Sequence, residues 1–304
     1  MATLSHLFID KVSATLQVQT DPLQHAVTER LQTCAECEYI IQVLSGPLLQ
    51  NYHFAYTLPL AGGRHLTIQA VPRFDRMNFI RLEFNPKVRG QNGEHPVDLI
   101  GNVLCPSWPN FFGDLEHARF TRLDFAVDIR GVHIEQLGLY HSTRSVFSRK
   151  FEAQFDRGGQ TTGIYLGKRT SNRYIVAYDK RREFIEKQGK RPRLRGAWTR
   201  IECRHADLGN LRTIFDMPNP LLSFTLTRYP SQQLDETSAL FLDSCRYRGA
   251  QAALYRIKNR RTRTRYRAWL SELSPPWWNP HDIWEQRGEA LANALGCALG
   301  TNPH

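Results

Sequence analysis

The chain lacks any run of about twenty apolar residues, so no transmembrane helix is expected. Its opening residues, Met-Ala-Thr-Leu-Ser-His, show no charged stretch leading into an apolar one, and no signal peptide is expected either. A Gly-x-x-x-x-Gly-Lys-Ser/Thr loop is missing, so nothing implies ATP. There is no convincing long-period repeat and no low-complexity tract. Cysteine is sparse and scattered, at 34, 37, 105, 203, 245 and 297. The lone Cys34-x-x-Cys37 pair has no second pair and no nearby histidines, which a zinc site needs. It continues the helical series Val27, Leu31, Cys34, Cys37 and Ile41, so structural thiols in a reducing, cytoplasmic compartment are expected. Acids are also missing locally: none occurs between Ser244 and Ser271.

What is present is positive charge. Forty Lys and Arg against 29 Asp and Glu leave a net +11 over 304 residues. A balance of that size favours a polyanionic partner, nucleic acid before membrane. The acid-free stretch concentrates it in Arg246, Arg248, Arg256, Lys258, Arg260, Arg261, Arg263, Arg265 and Arg267, with Tyr247, Tyr255, Tyr266 and Trp269 interleaved. Arginines bind phosphates bidentately and aromatics stack on unpaired bases. A solvated helix face is the plainer reading of a charge run. The single sign of this one favours DNA binding, with Arg256, Lys258, Arg260, Arg261, Arg263, Arg265 and Arg267 as the contacts.

The patterning predicts a helix over Pro22–Leu44, ended by Ser45-Gly46-Pro47, then strands over Tyr52–Leu60, His65–Val71, Met77–Asn85 and Phe120–Ile129. Val97–Leu104 is a short apolar segment and His133–Tyr140 a candidate short helix. Gly163–Leu166 and Arg173–Tyr178 read as a hairpin. Asp179 can cap a helix running to Lys187. A basic loop, Gly189–Gly196, precedes a strand over Trp198–Arg204. Helices are expected over Asp235–Ser244, Gly249–Leu273 and Ile283–Leu299. The fold class expected is α+β, an antiparallel sheet with flanking helices and a helical, basic C-terminal region. The expected segments are 1–48, helical; 49–210, catalytic; and 211–304, DNA-binding.

One tetrad recurs in three of these strands: Arg81-Leu82-Glu83-Phe84, Arg122-Leu123-Asp124-Phe125 and Arg200-Ile201-Glu202-Cys203. Side chains alternate between the faces of a strand, so each arginine shares a face with its acid, and Asp128 shares that of Asp124. Carboxylates gathered this way suit Mg²⁺ or Mn²⁺ rather than zinc. Solvated outer faces with cross-strand ion pairs are the alternative. Tyr178 ends the Arg173–Tyr178 strand in basic sequence. A tyrosine hydroxyl can attack a phosphodiester and hold the DNA end covalently. Tyr174 lies on the same strand face and reads as a packing or DNA-stacking residue, while Tyr165 sits across the hairpin, where a strand tyrosine is ordinarily a packing or cross-strand residue.

Four elements together resemble the replication initiation factor (Rep-trans) family of plasmid and phage rolling-circle initiators. They are Glu83-Phe-Asn-Pro86, Arg122-Leu-Asp-Phe-Ala-Val-Asp128, the run from Thr162-Gly-Ile-Tyr-Leu-Gly-Lys-Arg-Thr-Ser-Asn-Arg to Tyr178-Asp-Lys180, and Trp198-Thr-Arg-Ile-Glu202. The resemblance covers roughly residues 50–210. It implies a nicking-endonuclease-like fold and an origin-binding enzyme that nicks one strand. Tyr178 becomes 5′-phosphotyrosyl-linked and the free 3′-OH primes synthesis. By motif position it makes Tyr178 the nucleophile and Asp124, Asp128 and Glu202, with Glu83 a further candidate, the ligands of Mg²⁺ or Mn²⁺. Lys180 or Arg173 would add positive charge near the phosphate. Partners implied are origin DNA, duplex and single-stranded, with a host helicase and a second copy of the chain as further candidates. The wider superfamily usually holds its cation with His-hydrophobic-His, and no His-x-His occurs in this chain. Two rivals stay open: a non-enzymatic DNA-binding repressor or packaging protein on the same scaffold, and a metal-dependent nuclease using water.

Overall fold

The computed structural model describes residues 2–73, 78–141, 150–192, 195–230 and 234–296. Met77, residues 193–194 of the basic loop, Cys297 and the end of the last expected helix lie outside the described residues. In chain order the strands are β1 (Thr3–Leu4), β2 (Phe8–Gln17), β3 (Ile41–Gln42), β4 (Tyr52–Leu60), β5 (Arg64–Pro72), β6 (Phe79–Phe84), β7 (Arg119–Arg130), β8 (Leu137–His141), β9 (Phe151–Phe155), β10 (Thr161–Leu166), β11 (Arg173–Asp179), β12 (Trp198–Gly209) and β13 (Phe224–Arg228). The helices are α1 (Asp21–Glu36), α2 (Pro96–Leu104), α3 (Phe111–Glu116), α4 (Lys180–Gln188), α5 (Leu211–Phe215), α6 (Glu236–Arg248), α7 (Ala250–Arg256), α8 (Arg260–Glu272), α9 (Pro280–Glu285) and α10 (Arg287–Leu295). The class is α+β with a large antiparallel sheet.

Two compact units interleave along the chain, where the sequence reading draws three consecutive segments. The first holds Met1–Leu7, Ala126–Arg204 and Pro218–Gln286; the second holds Phe8–Phe125, His205–Met217 and Arg287–His304. The segment expected to be helical at the N-terminus carries β1, β2 and β3 beside α1. The region after residue 210 is not purely helical, because β13 pairs with β8.

In the second unit the strand order is β3-β4-β5-β6-β2-β7, with the part of β7 from Ala126 onward belonging to the first unit. The β4–β5 hairpin closes through Ala61-Gly62-Gly63, with both glycines at positive φ, which L side chains rarely adopt. Alternation on these strands buries Val12, Ala14 and Leu16 with Ile68, Ile80 and Leu82. Helix α1 starts where Thr20 accepts from the Leu23 N–H, and it buries Val27, Leu31 and Cys34 at helical spacing. It stops at Glu36, short of the expected Leu44, and the chain turns at Glu38 with φ 59°. The apolar segment 97–104 is helix α2, opened by Pro96 after a His95 cap.

The first unit contains β12-β11-β10-β9 and the separate β8–β13 pair. The segment expected as a short helix at His133–Tyr140 is one 3₁₀ turn, Ile134–Gln136, followed by β8. The helix expected over Gly249–Leu273 is two, α7 and α8, separated at Ile257–Asn259, where the Asn259 side chain caps α8. Phe241, Leu242, Cys245, Leu254, Tyr266 and Leu270 form the core under these helices. Phe241 and Tyr266 stack there at 4.2 Å between ring centroids. No helix among the described residues is long and apolar enough to cross a membrane.

Candidate active site

The hairpin β10–β11 pairs Gly163 with Tyr178, Tyr165 with Val176 and Leu166 with Ile175. The chain then enters α4 without a loop. Asp179 is both the last strand residue and the helix cap, accepting from the Arg182 N–H at 2.9 Å. This abrupt strand-to-helix junction places Lys180 in the first helical turn, two residues after the tyrosine.

Across from Tyr178, β12 presents Glu202. The phenol donates to Glu202 Oε1 at 2.6 Å, and Lys180 Nζ lies 3.4 Å from the same hydroxyl. Lys180 is in turn held by Glu183 Oε2 at 2.5 Å, one helical turn on, and its side chain is only 12% exposed. Burial raises the Glu183 carboxyl, but hydrogen bonds from Lys180 and Lys187 outweigh it and hold the group below its ordinary value. Tyr178 goes the other way. Burial first, and then the Glu202 carboxylate, push its phenol far above the ordinary 10.0, with Arg200 opposing. Tyr178 is therefore a neutral hydroxyl at neutral pH, already hydrogen-bonded to a carboxylate that can take its proton.

A second layer supports that pair. Arg200 grips Asp128 bidentately, Nε to Oδ1 at 2.6 Å and Nη2 to Oδ2 at 3.0 Å, with both residues buried. Arg130 lays its guanidinium on the Trp198 ring at 3.5 Å. Burial lowers the Arg130 pKa, with Asp128 opposing and Arg200 adding to the fall. The Tyr178–Glu202 pair thus sits beside an array of cations and neutralising acids drawn from β7, β11, β12 and α4.

The structure brings Tyr178, Lys180 and Glu202 together, and it joins Asp128 to Arg200. The other expected cation ligands belong to the second unit. Asp124 is 2% exposed and bonded bidentately by Arg122, one of the two contacts being Nε to Oδ1 at 2.8 Å. Glu83 accepts from Ser13 at 2.9 Å and Arg81 at 2.7 Å and pairs with Lys11. Among the described residues, no three of His, Cys, Asp or Glu form a group that could hold a metal ion. A cation at Asp124 or Asp128 would have to displace a bidentate guanidinium. The acids as arranged do not fit a bound Mg²⁺ or Mn²⁺. Arg173 opens β11, at the other end of the strand from Tyr178. Cys34 is buried and Cys37 exposed, both as free thiols.

The sequence reading missed Glu183. Its signal was the i,i+3 spacing from Lys180 on a capped helix. It also missed the Arg130–Trp198 contact, for which no sequence signal exists.

In the basic stretch, Arg260, Arg261, Arg265 and Arg267 are exposed on α8, Arg263 is half-buried, and Arg256 and Lys258 are exposed just before it. Tyr266 and Leu270 are buried on the opposite side of α8 and anchor it. Arg265 lies over the Tyr266 ring at 5.4 Å.

The chain matches no protein-family model and no characterised protein in the comparisons made.

Proposed function

We propose that this chain is a DNA strand-nicking and -joining enzyme, a rolling-circle replication initiator of the kind its motifs resemble, on a nicking-endonuclease-like scaffold. The reading rests on one observation above the others: the Tyr178 hydroxyl donates to Glu202 at 2.6 Å with Lys180 Nζ 3.4 Å away.

In this reading Glu202 takes the phenol proton as Tyr178 Oη attacks the scissile phosphorus. The P–O3′ bond breaks, the phosphate stays on the tyrosine as a 5′-phosphotyrosyl diester, and the leaving 3′ oxygen takes up a proton. Joining is the reverse, with a 3′-OH attacking and the phenolate reclaiming its proton. The half-buried Lys180 and the buried Arg200 supply fixed positive charge for the extra negative charge of the transition state. Glu183 holds the Lys180 ammonium beside the attacking oxygen, and Asp128 holds Arg200. The exposed arginines of α8 would bind the phosphates of the origin duplex. The Mg²⁺ or Mn²⁺ ion implied by the family resemblance is tested by running the same reaction with chelator.

The experiment is an incubation with circular single-stranded DNA carrying the candidate origin, read on a denaturing gel and by peptide mass spectrometry. The expected product is a covalent protein–DNA adduct on the peptide containing Tyr178, absent in Tyr178→Phe, which keeps DNA binding. A cut without adduct would replace this reading with a water-using nuclease. Binding without any cut would replace it with a repressor or packaging protein.

A further inference from the structure

We infer that the Tyr165 ring is a stacking platform for the unpaired nucleobase next to the bond that Tyr178 attacks. The inference rests on the strand-nicking reading and names the substrate contact beside its nucleophile.

Tyr165 pairs with Val176, two residues before Tyr178 on β11, so its side chain emerges on the same sheet face as that of Tyr178. Two strand residues span about 6.6 Å, close to the length of one extended nucleotide. Gly163 is the residue directly opposite Tyr178. A Cβ there would lie 3.0 Å from Tyr165 Cε2 and Oη, so the Tyr165 ring leans over the glycine towards the Tyr178 position. The bare glycine leaves room for that lean. A purely structural cross-strand tyrosine does not require one.

The ring is held rather than free to swing. It lies near-parallel to Tyr174, with centroids 6.1 Å apart and 27° between planes. Its hydroxyl donates to Gln154 on the neighbouring strand at 2.7 Å. Tyr174 is buried and covered by Arg204 at 5.2 Å, so it serves as the backing. Tyr165 itself is half-buried, and beside it stands Arg169, an exposed side chain of the hairpin turn, 5.5 Å from the ring centroid. Arg169 is the group a base would displace, or join as a cation over its own π face. Lys168 and Arg169 of the turn are both exposed, a phosphate-attracting approach to the ring. Stacking of this kind is tolerant of base identity, so the ligand is an unpaired strand of any sequence.

The test uses the full chain carrying Tyr178→Phe, so that no covalent product forms, and a dT₁₂ oligonucleotide with one thymine replaced by 5-iodouracil. Irradiation of the complex and peptide mapping should place the crosslink on Tyr165. In titrations with plain dT₁₂, Tyr165→Ala should weaken binding about tenfold, while Tyr165→Phe, which keeps the ring and loses only the Gln154 contact, should stay within about twofold. Gly163→Ala, which pushes the ring aside, should fall between them. A crosslink confined to other residues, or a Tyr165→Ala affinity equal to that of the parent, overturns the inference even if the Tyr178 adduct forms. A crosslink to Tyr165 in a chain that forms no adduct would keep the single-strand site and remove the nicking reading.

Discussion

The same four-residue pattern has two different fates in the two units. In the second unit each arginine takes its own acid: Arg81 bonds Glu83 and Arg122 bonds Asp124, two residues away on one strand face. In the first unit Arg200 reaches across to Asp128 on β7, and Glu202 receives the hydroxyl of Tyr178. An acid closed by its own arginine is a structural ion pair. Glu202 is set apart by the phenol that donates to it, which makes it the candidate proton acceptor. The tetrad by itself therefore does not decide whether its acid meets a hydroxyl.

The sharpest way to break this comparison is to make the same change at both ends of it. Glu202→Gln should slow adduct formation by about 10²- to 10⁴-fold, the usual span for loss of a positioned general base. Glu83→Gln should leave the rate within about twofold. Initial rates on a single-stranded origin oligonucleotide measure both. Raising Mg²⁺ should not rescue Glu202→Gln. Rescue would make Glu202 a cation ligand, and equal losses at both positions would remove the distinction altogether.

A second change sharpens the comparison through stability. Asp128 and Arg200 are both nearly inaccessible, so Asp128→Asn removes the bidentate counter-charge of a buried guanidinium. Removing one partner of such a pair costs about 3–5 kcal/mol. Glu83 keeps 25% of its side chain accessible, and solvent partly screens its ion pairs. Glu83→Gln should therefore cost about 1 kcal/mol or less. Urea denaturation of both variants gives the comparison directly. Similar losses would mean that burial does not separate the two tetrads.

How much of this could be read from the sequence depends on the range of the interaction. The β10–β11 hairpin and the Asp179 cap were legible, because alternation, the polar turn Gly167-Lys-Arg-Thr-Ser-Asn172 and a capping acid all act within a few residues. The sharing of a face by each arginine and its acid was legible for the same reason. The choice of Asp128 by Arg200 was not, because 72 residues separate them and only strand pairing aligns them. Strand β2 was missed as well. Its Phe-Ile-Asp-Lys-Val-Ser-Ala-Thr-Leu-Gln does not alternate cleanly, and Ser13 is fully buried where it donates to Glu83. Segment 97–104 is buried around most of its circumference, so its apolar content carried no period by which helix and strand could be told apart. The break between α7 and α8 was hidden by a charge pattern that runs through it.

A third fate of arginine completes the contrast and gives the smallest expected effect on the chemistry. On α8, Arg260, Arg261, Arg263 and Arg267 make no ion pair among the described residues. With no acid beside them, their charge stays available to a phosphate backbone. Replacing Arg260, Arg261, Arg263 and Arg265 by Ala should weaken duplex binding and flatten its dependence on salt. Each lost phosphate contact removes about 0.9 from the slope of log K against log salt, so two to four lost contacts remove about 2 to 4. Nicking of a short single-stranded oligonucleotide at saturating protein should be unchanged, because Tyr178, Glu202 and Lys180 lie on β11, β12 and α4. Binding titrations at several salt concentrations, run beside the single-strand assay, separate the two functions. An unchanged slope would make the α8 arginines a solvated face. Lost nicking with intact binding would place them in the active site and erase the line drawn here between arginines that bind and arginines that organise.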